Sequence, residues 1–213
     1  MRTQDLVSRL AGDLAPIDRG VVPRTLNRAL MSGLAGNTAL LVALHGVAGD
    51  MPEQLLTAMF WIRLAFPLAI IAAALKLTER LGRPGAPLAW AWFTATVPIA
   101  TTLLVAAGFQ LATPSDYRLQ LIAGDTWRAT TAGVVLLSLP SLATAMQAMR
   151  RLAPTRLIPA GAGAGLLAGA QGLLVYSLYC PEMPAAFWSV GHVLAIAVTA
   201  GIGAALAPTC LRW

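Results

Sequence analysis

Cysteine and histidine, the side chains that most often bind soft metals or respond to oxidants, occur only twice each in this chain of 213 residues. Cys180 stands in the stretch YCPEMP (residues 179–184), two positions before Glu182. Thiolate and imidazole are donors that a soft metal ion prefers, so these residues could join His45 and His192 in a metal site. Their spacing matches no known ligand motif. Cys180 could equally be a small buried residue, or an exposed thiol that oxidises or pairs with a second protomer.

No catalytic constellation is visible in the sequence. It contains no GxSxG or HExxH motif, no glycine-rich phosphate loop and no pair of aspartates within an apolar segment. A net charge of +6 and a pI near 10.4 would suggest nucleic-acid binding in a soluble protein. In a chain this apolar, the basic residues are instead explained by the tendency of membrane proteins to place such residues on the cytoplasmic side. We therefore expect neither an enzyme nor a cofactor, and no direct contact with nucleic acid.

The composition itself is too apolar for a soluble globular protein. Hydrophobic residues make up 57% of the chain and charged residues 11%, whereas about a quarter of the residues in soluble domains are charged. The mean hydropathy is +0.70. The expected environment is therefore a lipid bilayer.

Six apolar windows are long enough to cross a bilayer, which takes about 20 residues in helical conformation. The segments between them are short and rich in turn-forming residues, so consecutive helices should pack antiparallel. The sequence predicts an all-α integral membrane protein, a six-transmembrane-helix bundle formed by residues 27–213. The windows are 27–47, 56–75, 88–109, 129–149, 159–179 and 186–207.

The basic residues are distributed unequally between the two faces of this predicted bundle. Twelve of the 15 lysines and arginines fall on one face; the other face has Arg118 and Arg128, and Arg63 lies within a span. Because membrane proteins keep basic residues on the cytoplasmic side, both termini are predicted to be cytoplasmic. The twelve are Arg2, Arg9, Arg19, Arg24, Arg28, Lys76, Arg80, Arg83, Arg150, Arg151, Arg156 and Arg212.

Glycines of the fifth window form a regular repeat. Gly161, Gly165 and Gly169 are four residues apart, so they lie along one stripe of a helix. Such a stripe lets the backbone of another helix approach closely. The partner could be a helix of the same bundle or a second copy of the chain in a homodimer.

Prolines and one arginine interrupt the apolar windows. Pro67, Pro98 and Pro140 each remove a backbone donor near the middle of a span and should kink its helix. Arg63, near the outer end of the second window, either snorkels to the membrane surface, pairs with a loop acid or has a ligand or gating role.

The N-terminal segment, residues 1–26, begins with the pattern of a short amphipathic helix. Three leucines spaced four apart lie on one side, and charged residues border them. Because a helix of this length is marginal in water, it needs a surface to fold against. That surface could be a groove of a cytoplasmic partner, the membrane or the bundle itself. The candidate partner-binding residues are Asp5, Leu6, Arg9, Leu10 and Leu14.

Four stretches of the chain carry a resemblance to a known family: TQDLVSRLAGDLAPI (3–17), TWRATTAGVVLLSLPSLATAMQAMRRLAPTR (126–156), AGAGLLAGAQGLLVYSLYCPE (162–182) and GAALAPTCLRW (203–213). Together they resemble the bacterial NrsF-type membrane proteins, negative regulators of an extracytoplasmic-function sigma factor. The resemblance implies six helices in the inner membrane and a cytoplasmic N-terminus that holds the sigma factor.

The same resemblance implies a signal-sensing role for residues at the outer face. In the family, one cysteine accompanies a tryptophan-arginine pair in the third connection and another stands in the CPE turn. This chain lacks the first of them, since Thr130 stands at or beside its position. Cys210 cannot take the place of that cysteine. Cys180 and Cys210 are predicted at opposite ends of the bundle, and the two ends of a helix of about 20 residues are roughly 30 Å apart. A disulfide needs Cα atoms within about 7 Å. The residues kept from the family pattern are Trp127, Arg128, Cys180, Pro181 and Glu182; of these, Trp127, Arg128, Cys180 and Glu182 are the expected sensing residues.

These observations lead to one expected function and two alternatives. We expect a membrane-bound anti-sigma factor that sequesters an extracytoplasmic-function sigma factor and releases it on an envelope, oxidative or metal stress signal. The first alternative is a small-molecule transporter or channel, with Arg63 and the three prolines along its path. The second is a structural membrane subunit that the N-terminus anchors to a complex.

Overall fold

The computed structural model describes residues 12, 20–46, 56–83, 85, 89–112, 126–179 and 185–212. This part of the chain contains seven long helices and no strand, which confirms the prediction of an all-α fold. The predicted N-terminal helix lies outside the described residues except for position 12. The helices are α1 (Val21–His45), α2 (Ala58–Leu81), α3 (Ala89–Ala112), α4 (Thr126–Leu137), α5 (Leu139–Arg151), α6 (Leu157–Tyr179) and α7 (Ala185–Cys210).

Fewer of these helices than predicted are long and apolar enough to span a membrane. Within the described residues three stretches qualify, namely Phe60–Leu81, Leu157–Tyr179 and Gly191–Cys210. A fourth arises if α4 and α5, which meet at 46°, are counted as one broken span. The prediction of six spans is therefore corrected to three or four by length and composition.

Each predicted window nevertheless overlaps a helix, and the polarity of α1 explains part of the difference. Its 25 residues include Arg28, Asn37 and His45, which lower the hydropathy of every long stretch within it. In α3 the side chains of several residues lie outside the described set.

Helix α6 is the centre of the bundle. It is buried along nearly its whole length, and it contacts α1, α2, α4, α5 and α7. Its many glycines and alanines let the backbones of neighbouring helices approach it on several sides. Leu167, Leu173 and the neighbouring alanines of α6 therefore form the middle of the apolar core.

The glycine repeat of α6 packs against α7 of the same chain. A Cβ atom added to Gly161 would overlap the carbonyl oxygen of Gly203, and one added to Gly165 would overlap that of Thr199. At Gly169 it would overlap the hydroxyl of Thr199. Of the two alternatives for this stripe, the structure shows packing inside the bundle, because α7 covers it.

The break between α4 and α5 lies at Ser138 and is stabilised from α1. Pro140 stands in the first turn of α5, where it lacks the N–H that a continuous helix would use. The next residue is bound from α1 by the side chain of Asn37: its Oδ1 accepts the Ser141 N–H at 3.1 Å, and its Nδ2 donates to the Ser141 hydroxyl at 3.1 Å. The amide of Asn37 therefore caps α5 across the helix interface.

Further hydrogen bonds extend this contact. The Ser141 hydroxyl donates to the carbonyl of Ala168 in α6 at 3.2 Å, and the Thr144 hydroxyl donates to the carbonyl of Ala29 in α1 at 3.1 Å. Positions later in α1 pair with positions earlier in α5, so these two helices are antiparallel. Pro67 and Pro98, by contrast, lie inside α2 and α3, which continue past them.

The close contact between α6 and α7 predicts that one methyl group added to a glycine of α6 lowers the stability of the bundle. We expect Gly165→Ala to lower the thermal unfolding midpoint of the detergent-solubilised chain, because its Cβ would overlap the carbonyl of Thr199 and such overpacking costs about 1–3 kcal/mol. Gly201→Ala on α7 is the matched control, since no atom lies within 4 Å of its added Cβ. An unfolding midpoint of Gly165→Ala at or above the wild-type value would contradict the packing.

The cap of α5 predicts a second difference between matched variants. We expect Asn37→Ala to destabilise the bundle by about 1–3 kcal/mol, because the buried Ser141 N–H loses its partner. Asn27→Ala removes the same group from an exposed position of the same helix and should change stability little. Thermal unfolding in one detergent measures both, and equal losses for the two variants would refute the capping role.

Candidate functional site

One end of the bundle is strongly basic. The close contacts of Gly82 with Leu152 and of Gly161 with Ala207 show that the ends of α2, α5 and α7 meet the start of α6 there. The only acidic side chain among the described residues is Glu79, which is half-buried. We call this surface the basic end; its exposed side chains are Arg24, Arg28, Lys76, Arg80, Arg83, Arg150, Arg151, Arg156 and Arg212.

The basic end can attract anionic groups. A basic side chain near a membrane surface gains about 1 kcal/mol from anionic lipid head groups, and a cluster of them also steers an acidic protein surface toward it. Helix α1 begins here at Val21, so the N-terminal segment joins the bundle at this end. The predicted partner-binding residues Asp5, Leu6, Arg9, Leu10 and Leu14 lie outside the described residues.

The opposite end brings together the starts of α4 and α7 and the ends of α1 and α6. The Thr131 hydroxyl of α4 donates to the carbonyl of Gly191 in α7 at 3.3 Å. The rings of His45 in α1 and Tyr179 in α6 have centroids 4.6 Å apart. The structure therefore connects the residue that precedes Cys180 to the end of α1.

The predicted sensing residues are only partly placed by this geometry. Arg128 is exposed in the first turn of α4, whereas for Trp127 the structure describes the backbone alone. Cys180 and Glu182 lie outside the described residues. Thr130, at or beside the position of a family cysteine, is buried.

The histidines of the candidate metal site have different surroundings. His45 is exposed, whereas His192 is buried. The part of the chain that the structure describes contains no group of three or more metal-binding side chains. Since Cys180 and Glu182 fall outside that part, a metal site that includes them stays a prediction.

Buried polar residues at the centre of the bundle were missed by the sequence reasoning. Asn37, Ser141 and Gln171 are each fully buried. Gln171 lies beside Gly33, because a Cβ added to that glycine would be 2.8 Å from Gln171 Oε1 and 2.9 Å from Ser141 Cβ. The signal was present: amide side chains inside apolar windows are rare and often functional.

Comparison with known proteins identifies the family of the chain. The profile of the NrsF family, described as negative regulator of sigma F, matches residues 10–213. A probable anti-sigma-F factor NrsF of Azospira oryzae is 35% identical over 213 residues, covering 100% of both chains. The anti-sigma-F factor NrsF of Caulobacter vibrioides is 33% identical over 217 residues, again over 100% of both. No solved structure matches. A profile match over nearly the whole length and two full-length relatives show that this chain belongs to the NrsF family of negative regulators of sigma F.

Proposed function

We propose that this protein is a membrane-bound anti-sigma factor that holds an extracytoplasmic-function sigma factor at the cytoplasmic side of the bacterial inner membrane. The observation that carries the proposal is the similarity, over the full length of both chains, to two proteins named as anti-sigma-F factors. While the sigma factor is bound, RNA polymerase cannot recruit it, so transcription from its promoters stays low.

The N-terminal segment is the part that binds the sigma factor in this proposal. Its leucines enter an apolar groove of the sigma factor, and Asp5 and Arg9 make polar contacts at the edge of the groove. The start of α1 at the basic end supports the assignment, because this segment precedes α1 in the chain and basic residues favour the cytoplasmic side. The bundle acts as the membrane anchor and as the receiver of the signal.

One of the features that suggested a transporter or channel has a structural explanation. Pro140 lies at a helix break that Asn37 caps. This proline therefore does not favour transport over regulation.

Binding through the N-terminal segment predicts a sharp difference between two acidic substitutions. We expect Leu10→Asp to weaken binding of the sigma factor roughly thirtyfold, because burying a leucine contributes about 2 kcal/mol. Ser8→Asp introduces the same charge on the polar side of the predicted helix and should bind within about threefold of wild type.

Affinity purification of the detergent-solubilised chain measures this difference. The co-purifying proteins are identified by mass spectrometry for the full chain, both variants and a chain without residues 1–20. A sigma factor retained equally by Leu10→Asp would contradict the binding mode, and a sigma factor absent from the full chain would contradict the proposed function.

The proposed orientation predicts opposite labelling of the two cysteines. Cys210 is exposed at the end of α7 that belongs to the basic end, whereas Cys180 follows the end of α6 at the other side of the bundle. In intact spheroplasts we expect a membrane-impermeant maleimide to label the Cys210→Ser variant, which keeps Cys180, and not the Cys180→Ser variant. After detergent permeabilisation both variants should react with the maleimide. Labelling of Cys210 in intact spheroplasts would contradict the proposed orientation.

The same two variants test whether Cys180 senses the signal. We propose that oxidation or soft-metal binding at this thiol, two positions before Glu182 in the sequence, weakens the hold on the sigma factor, with Glu182, Trp127 and Arg128 as further sensing residues. We expect Cys180→Ser to keep repression but to lose induction of a sigma-dependent reporter by oxidant or cadmium. Cys210→Ser should respond as wild type does, and full induction of Cys180→Ser would remove this cysteine from sensing.

A further inference from the structure

Gln171 is an unusual residue for the centre of an apolar bundle. Its side chain is fully buried, and neither its Nε2 nor its Oε1 has a hydrogen-bond partner among the described residues. A primary amide offers two donors and an acceptor, so burying it unpaired is unfavourable. The packing seen in the structure therefore contains one polar group that another packing could satisfy better.

The position of Gln171 links it to the break between α4 and α5. Its Oε1 lies over Gly33 of α1, beside the Cβ of Ser141 in the first turn of α5. The next residue, Gly172, lets α6 lie against the break itself: its added Cβ would be 2.7 Å from Ser138 Cβ and 2.9 Å from Val134 O. The unpaired amide is thus next to the one place where the broken span changes direction.

The break also supplies an acceptor for the amide. Pro140 has no N–H, so it cannot donate to the carbonyl of Leu136 four residues earlier, as an ordinary helical residue would. In the second state proposed below, repacking of α4 against α6 joins this carbonyl to Nε2 of Gln171. Such a move would also alter the 46° angle between α4 and α5.

We propose that Gln171 and the break at Ser138 form a two-state hinge within the bundle. In the first state, the one described here, Asn37 caps α5 and the Gln171 amide is unpaired. In the second, α4 and α5 meet at a different angle and the amide donates to the backbone of the break. The two states are close in free energy because the first has the better helix cap and the second the better-paired amide.

The hinge has the right position to transmit a signal, an argument that rests on the proposed function. Helix α4 starts at the opposite end, where Thr131 contacts α7, and α5 ends at the basic end with Arg150 and Arg151. A change of angle at Ser138 therefore moves the basic end, where the N-terminal segment joins, when the opposite end is perturbed. Signalling requires two such packings with different affinity for the partner.

Hydrogen exchange of the full detergent-solubilised chain tests the hinge directly. Gln171→Met keeps the shape of the side chain and removes the amide, so it should favour the first state: exchange of the backbone amides of residues 134–142 slows about tenfold and the unfolding midpoint rises. Gln171→Glu should speed the exchange of residues 134–142 and lower the unfolding midpoint. Gln147→Met, an exposed position of α5, is the control and should change neither. Unchanged or faster exchange in Gln171→Met, or a lower unfolding midpoint, would overturn the hinge.

A second readout separates the hinge from the proposed function. In a sigma-dependent reporter strain, Gln171→Met should repress as wild type does but respond at least tenfold less to the inducing stress. Normal induction together with slowed exchange would overturn the signalling role of the hinge. If the wild-type chain does not repress the reporter, the proposed function is refuted. The hydrogen-exchange result would still decide whether the hinge exists.

Discussion

The close approach of the α6 and α7 backbones is the contact on which the rest of the bundle depends. In a bilayer, apolar side chains gain little by leaving lipid for protein, so helix association relies on tight van der Waals packing. Glycines on α6 allow this packing along one side against Gly203 and Thr199. Because α6 also touches α1, α2, α4 and α5, any displacement of α7 from it would loosen the core to which the other helices are attached.

Polar side chains give this apolar bundle its specific arrangement. A helix break at membrane depth is tolerated only where protein groups satisfy the exposed backbone, and Asn37 meets that need for α5 through both of its amide atoms. The hydroxyls of Ser141 and Thr144 add contacts to α6 and α1. Gln171 stands beside these satisfied groups and has no hydrogen-bond partner among the described residues. In the proposed hinge, Asn37 makes the fixed contact and Gln171 the movable one.

The uneven distribution of charge connects the fold to the biology of the family. Exposed arginines and a lysine surround the end at which α1 begins, and this arrangement favours a fixed orientation in a membrane with a cytoplasmic N-terminus. An anti-sigma factor benefits from such an anchor, since it keeps the bound sigma factor away from the nucleoid. In the proposed orientation the two ends of the bundle face opposite sides of the membrane, so the end away from the sigma factor offers a separate surface for the signal.

The sequence alone determined the helical fold class, the positions of the helices to within a few residues and the segregation of the basic residues. These are local properties, because apolar runs, turn formers and charges act over one or two helical turns. The glycine repeat predicted a close contact but not its partner, and only the tertiary structure decided that α7 of the same chain covers it. Pro140 predicted a kink. The complete break, the cap from Asn37 and the unpaired amide of Gln171 depend on groups more than 30 residues away in the chain, and only folding brings those groups together.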